Sequence, residues 1–407
     1  MVNGRYIHWD KLRRLKPPSG LDHRSWWAGL KFHRRAGRKQ IGLVDTSGNP
    51  FSYTLVDPLP EQLHHVDSEA RGFIGTPIAG PNQRMRDQYV VRSLIEEAMT
   101  SSMLEGASTT RDVAKKMIRE GRPPRDRSER MIFNNYRTME RIREFKDQPL
   151  TPKLIFEVQR MVTEATLDDP TGAGRLRRPQ ESIVIGDETG MVVHEPPPAR
   201  TLADRIARMC DFANAPDSQG FVHPMIRSII LHFWLAYDHP FVDGNGRTAR
   251  ALFYWSMLRR GYWLFEFVTI SRIILRGPVR YGRAFLHTET DDNDLTYFLL
   301  YHADVIRRAV NDMHVYLDRK TMEVNKAEAQ LREMIGLNPR QRSLVSHALR
   351  HPGETYTIGG HRSRHGTVPQ TARTDLLDLV DRGYFRKTKI GRFWTFRAVV
   401  DLDDRLR

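Results

Sequence analysis

A twelve-residue loop between residues 239 and 250 holds most of the side chains whose types and spacing could do chemistry. It has the sequence HPFVDGNGRTAR. Within it, His239 has the ordinary pKa best suited to accepting a proton near neutral pH. Asp243 supplies one hard oxygen ligand, which is enough to anchor a Mg²⁺ ion that keeps its waters and also binds phosphates. The loop therefore combines a candidate base with a candidate metal ligand.

The second half of the same loop is suited to receiving an anion. Gly244 and Gly246 let the backbone approach a ligand closely, and backbone N–H groups at the start of a predicted helix favour bound anions. Arg247 and Arg250 lie near that helix terminus, where guanidinium groups can fork onto phosphate oxygens. Together these features predict chemistry on a nucleoside triphosphate. The competing interpretation is a helix-capping loop whose histidine is only hydrogen-bonded.

Two helices must position this loop. The apolar run HPMIRSIILHFWLAY over 223–237 predicts the helix before it, and the chain from Arg247 to about Arg260 predicts the helix after it. Apolar spacing of three and four residues predicts further helices over 82–120 with a break after Gly106, 126–146, 152–165 and 200–214. A β-hairpin is predicted over 182–194, with its turn at 187–190.

Composition limits the class of protein. The chain has 407 residues, of which 40% are hydrophobic and 28% charged, as in ordinary globular proteins. The single cysteine, Cys210, excludes an intramolecular disulfide and argues against a cysteine-based zinc site. No apolar run approaches the ~20 residues of a membrane helix, and no secretory signal pattern is present. We therefore expect a cytoplasmic protein that does not associate with membranes.

Positive charge is concentrated at the two ends of the chain. The net charge is +15, and residues 1–40 carry 11 Lys and Arg against 2 Asp and Glu. Residues 338–407 carry 14 against 7, so the stretch between these ends is close to neutral. Basic ends are candidates for binding nucleic acid or another acidic partner. The alternative is that they serve solubility and local ion pairs.

These patterns predict a mainly α protein in three parts. Residues 1–80 form an N-terminal accessory region with a small α/β element, which includes a predicted hairpin over 41–51. Residues 81–336 form a helical core. Residues 337–407 contain two predicted helices and then two short strands joined by a basic turn, the order of a winged-helix domain. Glycines at 359, 360 and 366 argue against a further helix around His361 and His365.

The 239–250 loop resembles the signature of the Fic (filamentation induced by cyclic AMP) family. That signature is His-Pro-Phe-x-Asp/Glu-Gly-Asn-Gly-Arg-x-x-Arg, and every fixed position is present. Fic proteins typically transfer AMP from ATP to a hydroxyl side chain of a target protein. The resemblance therefore implies a protein adenylyltransferase with a Fic-type helical core, Mg²⁺ as cofactor and ATP as co-substrate. The hairpin over 182–194 resembles the family's flap, which binds the target backbone as an added strand, and the alternative is an ordinary surface hairpin.

The resemblance also implies a role for each residue of the loop. His239 would deprotonate the Ser, Thr or Tyr hydroxyl of the target, and Asp243 would hold Mg²⁺ between the α- and β-phosphates. Arg247 would bind the β-phosphate, and Arg250 the γ-phosphate. The residues implied to surround the α-phosphate as an anion hole are Gly244, Asn245 and Gly246. These roles agree with the need of phosphoryl-type transfer for positioning and charge neutralisation.

A second segment, SSMLEG over 101–106, resembles the family's inhibitory motif. In such proteins the glutamate reaches the second arginine of the loop, so Glu105 is expected to pair with Arg250 at the γ-phosphate position. Ser101 lies one turn before Glu105, and both residues can share a face of an inhibitory helix over about 85–105. The implied consequence is low basal activity. The alternative is an ordinary solvated glutamate near a helix end.

The C-terminal domain gives a further partner prediction. Residues 371–383 resemble the second helix of winged-helix regulators, and residues 385–394 resemble the wing. The basic side chains that could contact DNA phosphates from residues 338–407 are Arg362, Arg364, Arg373, Arg386, Lys387, Lys389 and Arg392. A protein-binding module of the same fold is the alternative.

Several alternatives for the function stay open at this point. The chain could be a nucleotide-sensing, DNA-binding transcriptional regulator. It could be a Fic enzyme that uses another nucleotide donor, because the loop fixes the phosphates and not the base. It could also remove AMP, with Glu105 positioning water. Self-modification and a homodimer are further expectations.

Overall fold

The computed structural model describes residues 1–71, 83–186, 192–216, 218, 220–333, 336–390 and 393–406. Its helices are α1 (Trp9–Leu12), α2 (His23–Arg35), α3 (Leu59–Ala70), α4 (Gln83–Met103), α5 (Arg111–Glu120), α6 (Arg127–Phe145), α7 (Pro152–Thr163), α8 (Leu202–Asn214), α9 (Pro224–Asp238), α10 (Asn245–Arg259), α11 (Ile270–Leu275), α12 (Pro278–Glu289), α13 (Thr296–Glu333), α14 (Pro339–Arg350), α15 (Ile358–His365), α16 (Pro369–Asp381) and α17 (Leu402–Arg405). Its strands are β1 (Lys39–Val44), β2 (Pro50–Tyr53), β3 (Ile185–Gly186), β4 (Val192–His194), β5 (Thr355–Thr357), β6 (Phe385–Ile390) and β7 (Phe393–Ala398).

The prediction of a mainly α protein with a helical core is confirmed. The chain forms two compact units, of which one comprises residues 1–72 and 92–310, and the other residues 73–91 and 311–407. The predicted three-part domain division stays a prediction. Among the described helices, none is both long and apolar enough to cross a bilayer.

The core of the first unit is built around α9 and α10, which pack against each other. Nearly every residue of α9 is buried, as its apolar sequence requires, and Pro224 occupies the first turn, where a missing N–H costs no helical hydrogen bond. Helices α6 and α7 cover α10. The large aromatic residues Phe233, Trp234 and Trp255 are at most 1% exposed. This apolar packing fixes the two helix ends that bear the 239–250 loop.

The N-terminal residues add small elements to this unit, as predicted. Strands β1 and β2 pair antiparallel, with Lys39 opposite Tyr53. The turn between them is closed by Asp45, whose carboxylate accepts hydrogen bonds from the backbone N–H groups of Ser47 and Asn49. Asn293 donates to the same carboxylate across a distance of 2.9 Å. The hairpin is therefore tied to the segment between α12 and α13.

The described C-terminal residues 337–390 and 393–406 contain, in order, a helix, a strand, two helices, two strands and a short helix, and the winged-helix assignment stays a prediction. Strands β5, β7 and β6 form a three-stranded antiparallel sheet in that order. Leu344, Leu376 and Phe396 are among the buried residues of its own hydrophobic core. The turn residues 391 and 392, including Arg392, lie outside the described residues.

The structure differs from the sequence analysis at α15, where a helix was not expected. Thr357 caps this helix by accepting from the N–H of Gly360, and Gly366 ends it with a positive φ of 59°. Buried His361 lies 3.1 Å from the carboxylate of Asp375, which also accepts from Arg340 at 2.7 Å. Capping and these tertiary contacts offset the low helix propensity of glycine.

Candidate active site

The 239–250 loop joins the end of α9 to the start of α10. His239 terminates α9 in the left-handed conformation, with φ 43° and ψ 56°, and Gly244 precedes α10 with φ 81°. Phe241 is fully buried. Its backbone N–H donates to the Asn245 side-chain oxygen at 2.9 Å, and its carbonyl accepts from the same amide at 2.8 Å. The reciprocal bonds make Asn245 an internal brace of the loop.

His239 is held as a neutral imidazole. Its Nδ1 lies 3.3 Å from the carbonyl oxygen of Ala236, so Nδ1–H is the donor and Nε2 keeps its lone pair. Burial lowers the pKa of His239 to about 4, although the Ala236 carbonyl opposes that shift. A histidine that is unprotonated at neutral pH can accept a proton.

Asp243 and Arg247 form a close pair at the start of α10. The Arg247 Nη2 lies 3.2 Å from both carboxylate oxygens, and Nη1 donates to the Val162 carbonyl at 2.7 Å. The N–H of Gly244 donates to the same carboxylate at 2.5 Å. Asp243 remains 34% exposed, so one face of its carboxylate is open to a cation. An oxygen ligand at a helix N-terminus that also attracts phosphate suits Mg²⁺.

Arg250 is buried and is bound by the last turn of α4 and by the turn that follows this helix. Its Nη2 donates to the Glu105 carboxylate at 2.8 Å and to the Ser101 carbonyl at 2.9 Å, and its Nε donates to the Ser101 hydroxyl at 2.8 Å. The predicted Glu105–Arg250 contact is therefore present. However, α4 ends at Met103, so Glu105 lies in the turn after the helix and not on a shared helical face with Ser101.

The Glu105 carboxylate also lies over Gly246. A Cβ atom added to Gly246 would lie 2.9 Å from Glu105 Cδ and 3.2 Å from the Nη1 of Arg250. The carboxylate thus occupies the space beside the first turn of α10, where backbone N–H groups and two arginines converge. A negatively charged group is favourable at that position because of the helix dipole and the arginine charges.

Two residues that the sequence analysis missed hold the loop in place. Gln159 on α7 is fully buried, donates to the Asp243 carbonyl at 3.1 Å and accepts from the Gly174 N–H at 2.5 Å. Arg177 donates to the carbonyl of His239 at 3.0 Å and, through its second nitrogen, to the carbonyl of Pro197. No sequence spacing links these residues to the loop, and only the tertiary fold brings them there.

The predicted hairpin is present as two short antiparallel strands, with Ile185 opposite His194. Its turn, residues 187–190, lies outside the described residues. His194 holds β4 against the body of the unit, with Nδ1 2.7 Å from Glu289 and Nε2 2.7 Å from the Tyr237 carbonyl. Burial opposes protonation of His194, but the Glu289 carboxylate raises its pKa above the ordinary value. Both ring nitrogens can then donate.

The loop thus joins two buried helices and brings together a neutral histidine, a carboxylate, the backbone N–H groups of a helix N-terminus and two arginines. Residues 149–257 match the family model described as the Fic/DOC family. The fold is similar to the crystal structure of a Fic family protein from Desulfovibrio desulfuricans G20, with a TM-score of 0.55 and 18% identity over 86% of this chain and 98% of that one. Residues 149–257 of this chain are therefore identified as a Fic/DOC-family region.

Curated relatives match part of the chain. The protein adenylyltransferase Fic of Drosophila willistoni is 35% identical over 113 residues, which are 28% of this chain and 20% of that protein. The protein adenylyltransferase Fic of Culex quinquefasciatus is 30% identical over 166 residues, 41% of this chain and 29% of that protein. The chain thus spans less than a third of the length of these relatives. A Fic domain protein from Bacteroides thetaiotaomicron has a TM-score of 0.50 at 19% identity, over 62% of this chain and 94% of that one.

Proposed function

We propose that this protein transfers AMP from ATP to a Ser, Thr or Tyr hydroxyl of a target protein. The observation that carries the proposal is the neutral, buried His239 on the same short loop as Asp243, Arg247 and Arg250. The relatives named protein adenylyltransferase Fic support this activity. The protein target, self-modification, a homodimer and a cytoplasmic location remain predictions.

In the proposed reaction, the target hydroxyl oxygen forms a bond to the α-phosphorus and the bond from that phosphorus to the pyrophosphate oxygen breaks. His239 Nε2 takes the hydroxyl proton, and pyrophosphate leaves. Asp243 would hold Mg²⁺, which neutralises phosphate charge when bound. The N–H groups at the start of α10 and the guanidinium of Arg247 bind the developing negative charge. A buried site strengthens these charge interactions because water is excluded.

The test is incubation of the full chain with α-labelled ATP and Mg²⁺, followed by intact mass measurement. Transfer adds one AMP to the protein itself or to an added lysate protein, and His239→Ala abolishes it. A parallel incubation with labelled GTP, CTP and UTP tests the choice of donor. Absence of label with every nucleotide, in wild type and in the Glu105→Gly variant described next, would contradict the proposal.

We further propose that Glu105 inhibits this reaction. Its carboxylate holds Arg250 at 2.8 Å and fills the space beside Gly246. The terminal phosphate of ATP must compete for Arg250, so ATP binds in an unproductive pose. Glu105→Gly should raise labelling at least tenfold, since each ~1.4 kcal/mol of released competition gives a factor of ten. Glu105→Gln is the matched control because it keeps the volume and removes the charge, and it should give an intermediate rate. Unchanged labelling in both variants would rule out inhibition by Glu105.

Sequence-specific DNA binding is a second candidate function, and the exposed half of α16 favours it. Gln370, Arg373 and Thr374 are exposed near the start of that helix, whereas Asp375 faces inward to Arg340 and His361. An exposed Gln, Arg and Thr at the N-terminal end of a helix can read base edges in the major groove.

The wing adds groups that suit the DNA backbone. Lys387 and Lys389 are exposed, and the Lys387 ammonium lies 3.9 Å from the centre of the Trp394 ring. Selection from a random duplex library, followed by anisotropy titration, tests this function. Arg373→Ala should relax the sequence preference, whereas Lys387→Ala should lower the affinity for all duplexes about equally. Failure of the full chain to bind any duplex at 50 mM salt would exclude the DNA-binding candidate.

A further inference from the structure

A second cluster of arginines lies in the first unit, at a cavity that is lined by none of the residues of the 239–250 loop, which is called the Fic loop from here on. The cavity has a volume of about 1080 Å³ and is lined by the N-terminal residues 2–7 and by residues of α12 and α13. A volume of this order accommodates a nucleotide-sized molecule. The cavity is therefore a candidate binding site separate from the Fic loop.

Four cationic side chains line this cavity: Arg5, Lys11, Arg280 and Arg283. All four are exposed, and in the part of the chain that the structure describes none of them forms an ion pair. Arg280 and Arg283 are three residues apart on α12, so they lie on one face of that helix. Such a group of unmatched cations attracts anions, and arginine forks bind phosphate oxygens in particular.

The two carboxylates at the cavity do not cancel this charge. Asp304 already pairs with Arg307 at 2.9 Å and with Arg308 at 3.7 Å, so its charge is matched outside the cluster. Asp57 is the other lining carboxylate. The cavity lining thus carries more positive than negative charge.

A buried polar atom supplies an independent sign that the cavity receives a ligand. His287 on α12 lines the cavity and is 8% exposed, and its Nε2 has no hydrogen-bond partner. The nearest carboxylate oxygen, on Asp10, is 3.7 Å away and therefore beyond hydrogen-bond distance. An unsatisfied buried nitrogen costs free energy, which a ligand oxygen or N–H could recover. Burial and the neighbouring His8 lower the pKa of His287 to about 4, so the ring is neutral.

Aromatic rings complete the lining. Tyr6, Tyr297 and Tyr301 all border the cavity, and the Arg280 guanidinium lies 6.0 Å from the centre of the Tyr301 ring. A tyrosine ring offers a stacking surface for a planar base. A nucleotide needs both cationic groups that bind its phosphates and a flat surface that stacks on its base. The arginines and the tyrosines of this cavity supply these two parts.

We propose that this cavity binds a phosphorylated small molecule of nucleotide size, with its phosphates on Arg280 and Arg283 and its ring on the tyrosines. This site is distinct from the Fic loop and does not depend on AMP transfer. The N-terminal residues 2–7 form one wall, which gives the N-terminal region a binding function.

The test uses the full chain, ADP and inorganic pyrophosphate in Mg²⁺-free buffer, with calorimetry for affinity and hydrogen exchange for location. ADP should protect the amides of residues 278–289 from hydrogen exchange. The Arg280→Gln/Arg283→Gln variant should lower the affinity for ADP at least tenfold and remove that protection. The matched control is Arg200→Gln/Arg208→Gln, which removes the same charge from exposed residues outside the cavity and should change affinity less than twofold. Because the substituted residues are exposed, both double variants are expected to fold.

Two outcomes would overturn the proposal. In the first, ADP protects residues 239–250 alone and binds the α12 double variant as tightly as it binds wild type, so the ligand lies at the Fic loop. In the second, neither probe binds at millimolar concentration. Pyrophosphate that binds as tightly as ADP would overturn the assignment of a ring to the tyrosines. ADP that binds at least threefold more tightly supports that assignment.

Discussion

The two arginine clusters of the first unit differ in what holds each guanidinium. In the Fic loop, Arg247 and Arg250 are at most 2% exposed and bind Asp243, Val162 and Glu105. In the cavity beside α12, Arg280 and Arg283 are exposed and form no ion pair with any described residue. A buried cation must be matched by the protein at all times because desolvation is costly. The loop therefore contains its own competitor for phosphate, whereas Arg280 and Arg283 have no carboxylate partner among the described residues.

The largest expected effect tests the burial difference directly. Arg250→Gln removes a buried guanidinium and leaves Ser101 and Glu105 without their partner, so it should lower the free energy of unfolding by about 2–4 kcal/mol. Arg280→Gln should change it by less than about 0.5 kcal/mol, since exposed charges contribute little. Urea titration followed by circular dichroism measures both. An equal loss in the free energy of unfolding for the two variants would show that burial does not distinguish the two arginine clusters.

A smaller effect, on the labelling rate, is expected at Gln159, which supports the Fic loop. Gln159→Leu keeps the volume of the side chain but removes its bonds to the Asp243 carbonyl and the Gly174 N–H. In the Glu105→Gly background we expect about a tenfold loss of labelling rate, because a misplaced loop loses transition-state contacts. The Michaelis constant for ATP should change less than the rate. At the α12 cavity, Arg280 and Arg283 lie on one helix, so there is no supported loop to test in the same way.

Comparing the labelling rate with the Michaelis constant for ATP distinguishes loss of positioning from unfolding of the variant. Gln159→Glu is the control, since it can still accept from Gly174 but cannot donate to the Asp243 carbonyl. Partial activity in Gln159→Glu is expected if Gln159 positions the loop. Full activity in Gln159→Leu would show that the loop does not need this support.

The smallest effects concern pH. The pKa of His239 is lowered to about 4, so the base is available above that value and is lost as the pH falls through it. Labelling by Glu105→Gly should vary less than about twofold between pH 6 and 8 and fall below pH 5. A midpoint near 6.5 in this profile would show that His239 is more exposed than in this structure.

Local sequence predicted the parts of the site that lie next to one another in the chain. The loop and its two helices were foreseen because helix periodicity acts over short ranges. The contact between Glu105 and Arg250, which are 145 residues apart, was foreseen only from the resemblance to the family's inhibitory motif. Gln159, Arg177 and the α12 cavity could not be foreseen, since they join segments far apart in sequence. The helix α15 was missed because glycine propensity was weighed without the Thr357 cap and the His361–Asp375 contact.

The left-handed backbone of His239 has a consequence for the evolution of this loop. At φ 43° a residue with a Cβ atom is strained by about 1 kcal/mol, and glycine would relieve that strain. His239→Gly should therefore melt at a higher temperature than His239→Ala, although both lack the imidazole. The backbone conformation at residue 239 thus favours glycine, whereas the proposed proton transfer requires the imidazole, so the two demands on this residue oppose each other.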